Sequence, residues 1–328
     1  MSTADRPVGT FGRWLVAPAR PERLALLRIL IAGYGVVWLI ARAPHLRDVT
    51  RFQEERWHPV GVLAGMSGPP SGGTVAVVVG LAILSGVAVV LGWRHRISGP
   101  TFAICLLLVA TWRTSWGQIF HTEHLLVLHA LVLAVAPAAA AWSLDARRRR
   151  GQTRLDHGDT AYGWPVRVMA LLTVGTYFVA GVAKIRYGGA SWLNGDVLAH
   201  QVAFDNVRKA AVGSATSPVA GPLLDLRWAF TPMALTSLFV ELGAPLALLS
   251  GRAARLWAGT AWLFHVGIVV VMVILFAYPV SGVALAPVLL VHGEGVPLPR
   301  ARRLVADRLR WTSSPRSGPE PVRMPVPS

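Results

Sequence analysis

The feature that most constrains this chain is a succession of apolar runs, each close to the length that crosses a hydrocarbon core. Eight stand out, at about 24–43, 74–92, 99–119, 122–142, 164–185, 231–250, 256–277 and 279–292. A spanning helix needs about 20 consecutive apolar residues, and inside the bilayer its backbone polar groups must be satisfied internally. The runs therefore predict an all-α integral membrane protein, a bundle of about eight transmembrane helices. The last run is short enough to be a span or a re-entrant segment. Only 15% of the 328 residues are charged, against about 25% in soluble domains, which argues against a water-soluble enzyme.

The chain divides into a basic leader (1–23), a membrane domain (24–292) with its longest hydrophilic segment at 186–230, and a basic, Pro- and Ser-rich tail (293–328). The first run follows an Arg-bearing leader in the manner of a signal peptide. Arg28 interrupts it, however, and Pro44 follows its one small-residue cleavage site, so it reads as an uncleaved span. Of the 32 Lys and Arg residues, 20 lie in segments 1–23, 93–98, 143–163, 251–255 and 293–328, and seven in the opposite loops. The positive-inside rule then puts both termini in the cytoplasm and 186–230 outside the cell membrane, with Trp116, Trp192 and Trp228 in the outer aromatic belt. The net charge of +16 is accounted for by this topology and by anionic lipid headgroups, so the expected partners are the bilayer and its lipids, not nucleic acid. No protein partner is indicated. Cys105 is the sole cysteine, which excludes an intramolecular disulfide and a CxxC redox pair. No metal-ligand spacing occurs.

Charged groups inside a bilayer are costly and mark functional sites unless they snorkel or pair. Arg28, Arg42 and Arg167 lie near span ends, where snorkelling accounts for them. Lys184, one of two lysines, ends the fifth run on the side that positive-inside disfavours. It reads either as a surface anchor or as a base, because a desolvated lysine, unlike an arginine, can give up its proton. Arg113, His121, Glu123 and His124 reach similar depth. Glu241 and His265 both lie 12 positions from Ala253 in a helical hairpin. They are expected to meet at one depth, as a structural pair or as a proton relay, while His129 stands alone within its run.

These residues carry a resemblance. YFVAGVAKIR (177–186), followed by Trp192 and Gly195, is similar to the lysine-bearing segment of vitamin K-dependent gamma-carboxylase, and HTEHLLVLHAL (121–131) with AWSLDA (141–146) resembles its histidine-bearing span. VELGAPLALL (240–249) and LFHV (263–266) resemble its next hairpin. With RLALLRILIAGYG (23–35) and SWGQIFHTEHLLVLH (115–129), the chain resembles the HTTM (horizontally transferred transmembrane) domain family over about residues 20–292.

The resemblance implies an HTTM-like bundle with catalytic roles for Lys184, His124, Glu241, His265 and Arg113, and a reduced quinone of the vitamin K type as cofactor. In that chemistry a neutral lysine deprotonates the quinol, and its oxygenation yields a strong base that serves carboxylation of a glutamate. Two features depart from the pattern. Ala183 stands where the carboxylase has a second lysine, and no luminal domain follows residue 292 to present a peptide. The expectation is therefore quinol binding and oxidation without peptide carboxylation. The alternative is a non-catalytic membrane protein that handles a lipid, a peptide or a partner chain, its polar residues acting as interhelical glue. A transporter is disfavoured by the lack of evident repeats.

Overall fold

A computed structural model describes residues 9–118, 121–149 and 160–292 of the chain. Among these residues there are α- and 3-10 helices and no strands. A short α1 (Thr10–Leu15) leads into α2 (Pro21–Val49), α3 (Gly72–Leu91) and α4 (His95–Thr114), then α5 (His124–Val135) and α6 (Leu144–Arg148). The second half comprises α7 (Thr160–Leu193), α8 (Asp196–Ala211), α9 (Ala220–Asp225), α10 (Phe230–Leu242), α11 (Gly251–Met272), α12 (Ala277–Val280) and α13 (Ala286–Leu290). Helices α2 to α5 pack consecutively, and α7 touches α2, α5, α10 and α13. The main apolar core runs through all of these, while a second, small cluster of Ala199, Val202, Ala220 and Phe230 joins α8 and α9 to the start of α10.

Five helices, α2, α3, α4, α7 and α11, are long and apolar enough to cross a membrane. The other three runs are broken by identifiable residues. Helix α5 has 12 residues and ends at Val135, because the residue before Pro137 is driven out of the α region. Helix α10 ends at Leu242 and continues past Gly243 as a 3-10 turn (Ala244–Leu248) containing Pro245, whose ring removes a backbone donor. Pro279, Gly282 and Pro287 divide the eighth run into α12, a 3-10 turn and α13. The segment 186–230, expected as a loop, is largely helical. Helix α7 runs on to Leu193 across a kink at Gly189 (φ 51°, ψ −137°), and α8 and α9 follow it.

Helix starts follow local capping rules. Ser71 Oγ accepts from Thr74 N at 3.1 Å, Ser143 Oγ from Ala146 N at 2.9 Å and Ser250 Oγ from Ala253 N at 3.2 Å. The start of α4 is capped from a distance, because Asp145 on α6 accepts from the backbone N–H groups of Arg94 and His95, both at 2.9 Å.

Two arginines expected to snorkel do not. Arg28 is fully buried, and its guanidinium donates to four carbonyls: Ala138 O (2.8 Å), Ala141 O (3.2 Å), Val90 O (3.4 Å) and Trp142 O (2.7 Å). It thus binds the C-terminal end of α3 to the turn after α5, where unpaired carbonyls attract a cation. Gly92 makes room for it, since a Cβ there would lie 2.3 Å from Ser143 Cβ and 3.0 Å from Arg28 Nη1. Arg167 is also buried and donates to Ala17 O. Arg42 alone of the three is exposed. The leader before Gly9 and the tail from residue 293 lie outside the described residues.

Candidate functional site

The site is built where α7 meets α10. Gly181 has no side chain at their contact: a Cβ there would lie 2.9 Å from the Leu242 side chain and 3.0 Å from Glu241 Cβ. Close approach at Gly181 carries the next turn of α7 over α10, because residues three apart share a helix face. Lys184 Nζ consequently donates to Glu241 Oε1 at 2.7 Å and to Ser237 Oγ at 3.4 Å. The Glu241 side chain is 7% exposed and that of Lys184 21%. Two aromatic faces complete the setting of the amine, Trp192 at 4.8 Å and Phe264 at 5.5 Å from the ring centroids. The sequence alone marks Trp192 as an interfacial anchor and as part of the lysine-bearing segment, without a contact to the amine. The second Glu241 oxygen, Oε2, is buried and accepts no hydrogen bond among the described residues.

Lys184 lines two cavities. One, of about 570 Å³, lies between α8, α10 and α11, with walls from Trp192, Val202, Met233, Ile268 and Val271. The other, of about 270 Å³, gathers the titratable side chains His121, His124, Tyr177, Glu241, His265 and Tyr278 within otherwise apolar walls. In it, His124 Nδ1 contacts His121 O, and its Nε2 lies 3.4 Å from Thr176 Oγ1. His265 Nε2 lies 3.5 Å from Tyr177 OH.

The structure thus gathers Lys184, His124, Glu241 and His265 around one cavity and corrects two expected contacts. Glu241 pairs with Lys184 on α7, and not with His265 across the hairpin. Equal distance from a turn sets depth, but the angular position on each helix decides which neighbour is met. Arg113 lines neither cavity and donates instead to Glu123 Oε2 at 2.7 Å, so it sets no charge beside Lys184. His129 is fully buried, with Nδ1 2.8 Å from Tyr278 OH and Nε2 3.2 Å from both Thr173 Oγ1 and Met169 O, a network that joins α5, α7 and α12. Tyr177, Phe264 and Phe276 were not singled out from the sequence. Tyr177 had a legible signal, since it precedes Lys184 by seven residues, two turns along the same face of α7.

Outside this core, Asp205 on α8 faces Lys209 at 2.6 Å and Arg208 at 2.9 Å. Burial alone would raise the Asp205 carboxyl, but the two cations outweigh it and hold it below the ordinary carboxylate range.

A helical bundle holding a lysine–carboxylate pair between an apolar and a histidine-lined cavity is what the geometry defines. A family model, the HTTM domain, matches residues 16–290. The chain belongs to the HTTM domain family. No curated protein and no solved structure matches it.

Proposed function

We propose that this HTTM protein of the cell membrane binds and oxidises a quinol-like lipid at the Lys184 pocket, in the outer leaflet. The observation that carries this reading is the buried Glu241 Oε2, a carboxylate oxygen without a donor, in the cavity of about 270 Å³ that shares Lys184 with the apolar one of about 570 Å³. An unpaired buried acceptor of this kind costs free energy until a donor meets it. A reduced quinone of the vitamin K type fits both features, with an apolar ring and tail and a hydroxyl donor.

When bound, such a quinol would supply two hydroxyl protons and two electrons, and molecular oxygen would take up the electrons. The chain's part is to bind, orient and move protons. Glu241 Oε2 accepts the ligand's hydrogen bond, and the apolar walls exclude water from the reacting edge. The base form of the site is the neutral pair, amine and carboxylic acid, reached by passing one proton from Nζ to Oε1 across their 2.7 Å hydrogen bond. Lys184 is then the general base, while His124, His265 and Tyr177 line the cavity into which protons leave.

The test is saturable binding of phylloquinone to the purified protein in nanodiscs, alongside oxygen-dependent oxidation of its reduced form. Wild type is expected to bind and turn over. Thr236→Trp, which fills the apolar cavity, is expected to abolish binding, and Lys184→Arg to retain binding and lose turnover. Wild type without binding overturns the reading. Binding without turnover in the wild type supports the competing one, a non-catalytic lipid-handling protein, which is favoured by the use of Arg28 and His129 purely as interhelical glue.

The proposed orientation, with both termini cytoplasmic and 186–230 outside, rests on the basic-residue asymmetry. In a Cys105→Ala background, an impermeant thiol reagent applied to intact cells is expected to label Ser214→Cys and spare Ser317→Cys. The opposite pattern inverts the topology.

A further inference from the structure

Helix α11 does not end on its own terms. After Met272 the backbone turns left-handed at Val273 (φ 51°), and residues 273–276 have no regular structure before α12 begins. Among the described residues, the N–H groups of Ile274, Leu275 and Phe276 donate to no backbone carbonyl. Irregular backbone at membrane depth is tolerated where it is buried in protein or lines a cavity, and Ile274 and Phe276 both line the apolar one.

The carbonyls at this break are satisfied from elsewhere. Ser217 Oγ donates to Val270 O at 2.7 Å. Lys209 Nζ donates to Met272 O, and to Val273 O at 3.2 Å. A cation at a helix C-terminus is favourable, and this one is fixed by Asp205. Ser217 is fixed in turn, its N–H donating to Asn206 Oδ1 at 2.7 Å. Helix α8 and the turn after it therefore latch the broken end of α11.

Phe276 is the residue that this latch positions. Its ring centroid lies 5.3 Å from that of His265 and 5.8 Å from that of His121. Lys184, Phe264, Ile268 and Phe276 line both cavities. The first three stand on regular helices and Phe276 alone on the unwound segment. Short segments that absorb φ and ψ changes at element ends are where hinges form.

We propose that Phe276 is a movable partition between the apolar and the histidine-lined cavity, and that Lys209 is the positioning residue that holds it closed through the Met272–Val273 break. Passage of an apolar molecule from one cavity to the other then requires release at α8, outside the cavities themselves. The inference is independent of quinone chemistry, and its test uses no quinone.

In a Cys105→Ala background, single cysteines are placed in each cavity, Thr236→Cys in the larger one and Ala180→Cys in the histidine-lined one. Purified protein in nanodiscs is treated with N-phenylmaleimide, and modification rates are followed by mass spectrometry. Phe276→Ala is expected to speed Ala180→Cys by about tenfold or more and to leave Thr236→Cys unchanged. Lys209→Met should do the same, and Lys209→Arg, which still offers donors to both carbonyls, should restore the slow rate. An Ala180→Cys rate unaffected by Phe276→Ala overturns the partition. Acceleration by Phe276→Ala but not by Lys209→Met overturns the latch. Equal acceleration at both cysteines marks general loosening and also overturns it. If Lys209→Met fails to fold, Asp205→Asn, which removes the anchor of Lys209, replaces it and should again speed Ala180→Cys alone.

Discussion

Lys184→Met is expected to destabilise the folded protein by about 3–5 kcal/mol, and Glu241→Gln by less. Removing one member of a buried ion pair leaves the other uncompensated, at a cost in that range. The two losses are unequal because the partners are unequally buried, with Glu241 at 7% side-chain exposure and Lys184 at 21%. Without Lys184, Glu241 keeps no hydrogen bond to either oxygen. Without the carboxylate, the Lys184 ammonium still has Ser237 and the faces of Trp192 and Phe264, contacts that each contribute about 0.5–2 kcal/mol. The double replacement Lys184→Met/Glu241→Leu should cost less than the sum of the singles, because no charge is left stranded. Unfolding in mixed micelles with a graded denaturing detergent measures all four corners of the cycle. Additive single losses would show that the pair does not couple. The same cycle between Glu241 and His265 is expected to close to within about 0.5 kcal/mol.

A second large loss is expected far from that site. Arg28→Leu should reduce stability by more than about 4 kcal/mol, because four carbonyls lose their donor at once and each stranded acceptor costs about 1–3 kcal/mol. The estimate is below the full sum because solvent or small shifts will re-pair some of them. Arg28→Lys should recover only part, since an ammonium offers donors from one point where the guanidinium spreads them over a planar fork. A snorkelling arginine would tolerate either change, so near-wild-type stability of Arg28→Leu would remove the carbonyl-bridging role. Arg28 lines neither cavity beside Lys184, so the quinone binding proposed there should be unchanged in the folded fraction of Arg28→Lys.

How much of the site was legible depended on what kind of information each residue carried. Lys184 was visible because lysine is scarce in an arginine-rich chain and because it ends an apolar run. Its segment also has Gly181 where α7 packs closely on the Leu242 and Glu241 side chains of α10. The partner of Lys184 was not visible. Glu241 and His265 are equidistant from their hairpin turn, and that symmetry pointed to each other. Depth is a one-dimensional property that sequence counting recovers, whereas contact also needs the rotation of each helix about its axis, which changes by about 100° per residue. Phe276 was hidden for a different reason. A helix-breaking segment at 273–276 contains neither Gly nor Pro, so nothing local announces it. Lys209 and Ser217 hold it in place from more than 50 positions earlier in the chain.

The sequence by itself determined the helical class of this protein, the family and the places where five apolar helices run. The family rests on its motifs, whereas the class and the helices follow from hydrophobic length and from prolines and glycines, which act through the chain's own backbone. Tertiary structure alone decided which partners each buried charge meets. Arg28 and Lys184 look alike as cations near span ends, but one is surrounded by carbonyl groups and the other by a carboxylate between two cavities. The cost of a charge in a low-dielectric interior is set by the partners within a few ångströms. Those partners come from segments distant in the chain, and only their packing brings them into reach.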